Sequence, residues 1–252
     1  MFSPPTIHAA LQHARSAGKK GFAVLIDPDC LRLSQVEKLL SASKRGCPDY
    51  FFVGGSLLVD DHLEDTLLFI REHSPVPIVL FPGSPMQISR HADAILLLSL
   101  ISGRNADLLI GQHIIAAPYL RASGLEILPT GYMLIDGGKP TTASYISNSS
   151  PIPADKPEIA VCTAMAGEML GLKLLYLDTG SGANHAVPED MIRAVRASVQ
   201  LPLIAGGGLR RPEQVRTSLE AGADLVVVGS AIEQDPALLQ EMVDAVASFG
   251  GA

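Results

Sequence analysis

Apolar residues along the chain come in short unbroken runs, each ending in turn residues. They are "FAVLIDPD" from Phe22, "YFFVGGS" from Tyr50, "PIVLFPGS" from Pro77, "AILLLS" from Ala94, "EILPTGYMLID" from Glu126, "LLYLDTGSG" from Leu174, "LPLIAGGG" from Leu201 and "LVVVGS" from Leu225. Continuous rather than alternating apolar residues mark strands buried on both faces, as in a parallel sheet. Between them the pattern turns helical. "SQVEKLLSASKRG" opens on Ser34 as a candidate N-cap and stops at Gly46. "VDDHLEDTLLFIREH", "NADLLIGQHIIAAPYLRASG", "PEDMIRAVRASV", "RPEQVRTSLEAG" and "DPALLQEMVDAVASF" follow the same rule, with Pro188, Pro212 and Pro236 near helix starts. The pattern predicts eight strands alternating with eight helices, a single α/β domain over 1–252 folded as a (β/α)8 TIM barrel. An open doubly wound sheet is the alternative; the regular repetition favours closure. Thr6 to Ala17 reads as an extra N-terminal helix before the first strand.

Composition narrows the function classes. The chain has 252 residues, of which 47% are hydrophobic and 5% aromatic, so aliphatic side chains must fill the core. Lys and Arg number 19 against 26 Asp and Glu, a net charge of −7 with no basic run. That balance argues against nucleic acid, which is bound by clustered cations, and against attraction to acidic membranes. The N-terminus has no signal-peptide pattern, and the most apolar stretch, "ADAILLLSLISG", is shorter than the about 20 residues that span a bilayer. Cys30, Cys47 and Cys162 are far apart and odd in number, which fits reduced thiols in a cytoplasmic protein.

The strand ends carry the chemistry. In a barrel, "IAGGG" ends the seventh strand and "VVVGS" the eighth, where this fold builds its phosphate site. Bare backbone N–H groups and a helix N-terminus hold a dianion there, and a Cβ would block its approach. A tight turn explains a glycine triplet taken alone. Gly206, Gly207 and Gly208 paired with Gly229 and Ser230 favour phosphate. "YLDTGSGA" adds Gly180, Ser181 and Gly182 beside them, with Asp178 at the strand tip as a general base, a hydroxyl ligand or a turn cap. The first strand ends in Asp27-Pro28-Asp29 and the second in a glycine pair and Ser56. Carboxylate and hydroxyl oxygens suit Mg2+, which takes further ligands from substrate phosphates; an Asx turn is the other reading. The polar connection "GGKPTTASYISNSSPIPADKPE" follows the fifth strand, as a linker or as a functional loop at the mouth.

Taken in order, "FAVLIDPD", "YFFVGGS", "GYMLID", "YLDTGSGA", "IAGGGLRRPEQV" and "VVVGSAI" resemble the geranylgeranylglyceryl phosphate synthase family, whose bacterial members include heptaprenylglyceryl phosphate synthases. The resemblance runs from Phe22 to Ile232, and the "LIDPD" form and long fifth loop are similar to the family's second branch. It implies a prenyltransferase that joins sn-glycerol 1-phosphate to a polyprenyl diphosphate, geranylgeranyl diphosphate foremost, with Mg2+. By the same resemblance Asp27 and Ser56 hold the metal. Tyr176, Leu177, Asp178, Thr179, Gly180, Ser181, Gly182, Gly207, Gly208, Gly229 and Ser230 hold glycerol phosphate, and Asp178 takes the hydroxyl proton. The chain departs from the family in three places. Asp178 stands where many members have Glu, Leu25 where the other branch has Lys, and Ser230 where Asn is frequent.

Two rival readings remain open on sequence: another phosphate-binding barrel enzyme such as a phosphosugar isomerase, and a non-catalytic phosphate-binding barrel. An aldolase would need a strand-end lysine, and Lys139 and Lys173 fall outside the strand tips. The aliphatic strand ends, with Tyr132 and Phe81, are candidates for the prenyl groove. "ADLLIGQHIIAAPYL" is apolar on nearly every face, which predicts either a subunit contact in a homo-oligomer or packing against neighbouring helices. The histidines, His185 included, show no metal spacing.

Overall fold

The structure, a computed structural model, describes residues 6–29, 33–43, 46–57, 59–60 and 62–249. Cys30 lies outside the described residues; Cys47 and Cys162 are exposed free thiols.

The chain opens with α1 (Ile7–Ser16), whose N-cap Thr6 accepts from the Ala9 amide. It continues through β1 (Gly21–Ile26), α2 (Leu33–Ser43), β2 (Tyr50–Val53), α3 (Leu63–His73), β3 (Ile78–Leu80) and β4 (Ala94–Leu100). A π-helical turn, Asp107–Gly111, leads into α4 (Gln112–Ser123) and β5 (Glu126–Leu134). Then come α5 (Thr142–Ile146), α6 (Pro157–Met169), β6 (Leu174–Asp178), α7 (Glu189–Ser198), β7 (Leu203–Gly206), α8 (Pro212–Glu220), β8 (Leu225–Val228), α9 (Ser230–Gln234) and α10 (Leu238–Ala247). The eight strands pair in parallel in chain order, and β8 closes onto β1 with Val24 opposite Val228. The expected TIM barrel and its leading helix are both present.

Two layers of core explain the unbroken apolar runs. Along a strand, alternate side chains point inward and outward. Phe52, Leu96, Leu128, Tyr176 and Ile204 fill the barrel interior. Val24, Phe51, Leu80, Leu177 and Val226 pack outward against Leu39, Leu67, Ile192, Val215 and Leu239 of the helices. Ile7 and Leu11 of α1 join the interior layer and close the barrel's N-terminal end. The Glu126 carboxylate accepts from the Ile7 and His8 amides at 2.6 and 3.0 Å, so a negative charge sits on the first turn of α1. At the same end buried Asp224 accepts from Arg196 Nη1 and the Leu203 amide, both at 2.9 Å.

Two details differ from the sequence reading. Phe81 to Asp93, between β3 and β4, contains no helix, so strands and helices do not alternate eight times. That segment carries Pro82, Gly83 and Pro85, which break a helix before it can complete a few turns. Ser34 lies inside α2 rather than capping it. Leu209, Arg210 and Arg211 separate the glycine triplet from α8.

Candidate active site

Seven of the eight strands bring residues at or near their C-terminal ends to one cavity at the C-terminal face; Gly206, Gly207 and Gly208 at the end of β7 do not line it. The cavity is lined by Asp27 after β1, Ser56 after β2, Phe81 after β3 and Tyr132 of β5, together with Asp178, Gly180, Ser181, Gly229, Ser230 and Glu233. It continues between β4 and α4, where Leu97, Leu98, Leu108, Ala116 and Leu120 make it apolar. The sequence reading named Tyr132 and Phe81 for a prenyl groove. Both line this cavity, together with apolar residues of β4, the π-helical turn and α4.

Asp178 is the buried charge of the site, only 6% exposed. Its Oδ2 accepts from the Tyr132 hydroxyl at 2.6 Å and its Oδ1 from the Gly180 amide at 2.7 Å. Burial pushes its pKa up, and the two donors pull it back by favouring the ionised form. Burial and the Asp178 charge together hold the Tyr132 and Tyr176 phenols well above their ordinary value, so both stay protonated. Tyr176 stacks on Phe81 at 5.2 Å and meets Tyr132 edge-on at 5.6 Å. These three rings wedge one another beneath the carboxylate.

Glycine is required where β7 ends. Gly207 takes φ +77°, a conformation L side chains avoid, and a Cβ there would stand 2.6 Å from Asp178 Oδ1. Gly208, at φ +65°, continues the turn. On the same side Ser181 Oγ and Ser230 Oγ are 3.0 Å apart and join the loops after β6 and β8. Among the predicted glycerol phosphate residues, Asp178, Gly180, Ser181, Gly229 and Ser230 line the cavity, whereas Leu177 turns its side chain to the helix layer. Tyr176 and Thr179 are buried, Tyr176 against Gly206, and Gly182 is exposed at the rim.

The opposite corner is acidic. Asp27 Oδ1 accepts from the Asp29 amide at 3.1 Å, the Asx turn that the sequence permitted, and Asp27 still lines the cavity. Asp29 instead turns to the loop after β2, where it accepts from the Val59 and Asp60 amides. Asp27 and Ser56 therefore remain together without Asp29. Glu233, on α9, was not found from sequence; its Oε1 accepts from the Asp27 amide at 3.3 Å. Burial first, and the Asp27 charge second, push Glu233 up to about 7, against the pull of that amide. The only sequence hint was its position four residues past the Gly229 strand end.

The long fifth connection is part of the mouth. An Ile135–Ile152 bridge draws its ends together. Thr141 caps α5 in a capping box with Ser144, and a Cβ on Gly180 would meet Thr141 Oγ1 at 2.6 Å. Ala143, Ile146 and Ser147 line the cavity. His185 is exposed, and among the described residues no three His, Cys, Asp or Glu side chains gather as a metal cluster.

A closed parallel barrel with glycine loops after β6, β7 and β8 and a carboxylate corner across the mouth belongs to the TIM-barrel class, in which the loops after the seventh and eighth strands frequently form a phosphate site. Comparison with known proteins sharpens this. Residues 15–249 match the PcrB family model, and the chain belongs to the PcrB family. It is 54% identical over 239 residues to the geranylgeranylglyceryl phosphate synthase of Spirosoma linguale, covering 95% of this chain and 96% of that one. It is 52% identical over 232 residues to the enzyme of the same name from Chitinophaga pinensis, covering 92% of each. The crystal structure of (S)-3-O-geranylgeranylglyceryl phosphate synthase from Thermoplasma acidophilum, solved with its substrate sn-glycerol-1-phosphate, superposes with a TM-score of 0.91 at 28% identity, covering 97% of this chain and 99% of that one.

Proposed function

We propose that the protein is a prenyltransferase of the geranylgeranylglyceryl phosphate synthase type. It forms an ether bond between sn-glycerol 1-phosphate and a polyprenyl diphosphate, geranylgeranyl diphosphate in the first place, and releases diphosphate. One observation carries this reading: a single cavity joins a glycine-serine corner, a carboxylate-hydroxyl corner, a buried Asp178 and a long apolar extension. A phosphosugar substrate has no use for that extension.

Glycerol phosphate is held by the backbone amides around Ser181, Gly207, Gly208 and Gly229 and by the hydroxyls of Ser181 and Ser230, the Gly180 amide being committed to Asp178. The polyprenyl tail lies along Leu97, Leu108, Ala116 and Leu120, where each methylene removed from water contributes about 0.8 kcal/mol. Asp27 and Ser56 offer hard oxygen donors on one wall, the kind of partial set that Mg2+ completes with water and phosphate oxygens. When bound there, Mg2+ supplies charge compensation for the departing diphosphate. Asp178 orients the free primary hydroxyl of glycerol phosphate and accepts its proton. The hydroxyl oxygen forms the new bond to the allylic carbon, and the carbon–oxygen bond to diphosphate breaks with its electron pair. Holding both reactants in one cavity removes much of the entropic barrier.

We further propose a homo-oligomer assembled through α4, where Ile114, Ile115 and Tyr119 are 68%, 56% and 66% exposed. No helix among the described residues is long and apolar enough to cross a membrane, and the exposed thiols Cys47 and Cys162 suit a reducing, cytoplasmic setting.

The test is transfer of label. Radiolabelled sn-glycerol 1-phosphate incubated with protein, geranylgeranyl diphosphate and Mg2+ should pass into the organic phase. Label that stays in water with every prenyl diphosphate offered would refute the assignment.

A further inference from the structure

Asp178 needs help to act as a base. It is shut away from water at 6% exposure, and a carboxylate in that position tends to hold its proton. The titratable groups that face it are Tyr132 from β5 and Tyr176 from β6. Across the strand pair on the other side, β7 offers only Gly206 and then Gly207. Of the two phenols, Tyr132 bonds to the carboxylate, with its hydroxyl 2.6 Å from Oδ2. Its ring is fixed edge-on to Phe81 at 5.9 Å and to Tyr176 at 5.6 Å, so the hydroxyl has one place to go. The strand register puts Tyr132 opposite Tyr176, two residues before Asp178.

We propose that Tyr132 is a positioning residue for the reaction: its hydroxyl keeps the Asp178 carboxylate ionised and holds it where it can receive the proton of the attacking alcohol. The proposal rests on the prenyltransferase reading above. Tyr132 itself gives up no proton, since burial and the neighbouring carboxylate hold its phenol well above the ordinary value. The other oxygen, Oδ1, is tied to the Gly180 amide at 2.7 Å. The two donors thus clamp the carboxylate, one from β5 and one from the loop after β6.

The experiment compares wild type, Tyr132→Phe and a protein carrying 3-fluorotyrosine at 132, whose phenol is a stronger donor. Loss of a hydrogen bond to a charged group should raise the acidic limb of the kcat/KM pH profile by about one pH unit in Tyr132→Phe. It should also lower kcat roughly tenfold with KM for glycerol phosphate nearly unchanged. The fluorinated protein should shift the limb the other way. The Asp178 carboxyl carbon, followed by NMR in the absence of substrate, should titrate in the same order. If Tyr132→Phe does not fold, the fluorinated protein alone decides. An unmoved limb and unmoved carboxyl titration, in proteins that turn over, would overturn the proposal. Absence of turnover in wild type would instead overturn the prenyltransferase reading, while the NMR titration would still report on Tyr132.

Discussion

The backbone amide of Asp27 donates to Glu233 Oε1 over 3.3 Å, so a carboxylate that follows β8 closes over the carboxylate that ends β1. The barrel seam is thereby also an acidic corner. Burial and the Asp27 charge raise Glu233 from 4.5 to about 7. A raised carboxyl pKa means that the folded state binds this proton more tightly than the unfolded one. The stability it contributes is fully present below about pH 4.5 and is lost as pH climbs through about 7. At about 1.4 kcal/mol per pKa unit the loss is on the order of 3 kcal/mol. Glu233→Gln should flatten that part of the stability curve, read by urea denaturation at intervals from pH 5 to pH 8. Parallel curves for variant and wild type would show that Glu233 ionises freely.

Asp178→Asn keeps the shape of the side chain and removes the base. General base catalysis contributes typically 10²–10⁴-fold, so kcat should fall by about that much with the fold intact by circular dichroism. Asp178→Glu restores a carboxylate of the length frequent in the resembling family and should recover a large part of the activity.

Gly207→Ala places a methyl group 2.6 Å from Asp178 Oδ1 in a backbone conformation that L residues avoid. The backbone term alone costs roughly 1–2 kcal/mol. Thermal denaturation should show that loss, and kcat should fall at least about tenfold, because the methyl group displaces the Asp178 carboxylate and the Thr179 hydroxyl that fill this space.

Asp27→Ala should remove Mg2+ binding, measured directly by the signal of Mn2+ as a substitute, and abolish turnover. Ser56→Ala should weaken the same binding less, since a hydroxyl contributes no charge. Unchanged Mn2+ affinity in Asp27→Ala would place the cation elsewhere.

Replacing Ile114 or Ile115 by Asp puts a charge on the exposed face of α4. Light scattering should then report a smaller particle than wild type, with the circular dichroism unchanged because neither side chain is buried in the subunit. A wild-type protein that scatters as a monomer would remove α4 as a subunit contact.

Much of this was written in the chain. Strands such as Leu174–Asp178, with every residue buried, can only read as continuous apolar runs, and the motif at each strand end falls where the barrel builds its site. What stayed hidden depends on closure. Glu233 and Asp27 are 206 residues apart and meet only because β8 pairs with β1. Tyr132 read as an aromatic of the groove, since the register that sets it beside Asp178 is a property of the sheet. Asp29 stands two residues from Asp27, yet the turn after Pro28 sends it to the amides of Val59 and Asp60. The missing helix after β3 was obscured by the regular alternation around it.

The two-ended mouth is tested most directly by a crystal structure with sn-glycerol 1-phosphate, a non-reactive thiolodiphosphate of geranylgeraniol and Mg2+ bound together. The account predicts the glycerol phosphate against Gly180, Gly207 and Ser230 with its free hydroxyl on Asp178, the diphosphate and cation on Asp27 and Ser56, and the tail between β4 and α4. Both anions at one corner, or a tail lying outside the β4–α4 channel, would contradict it.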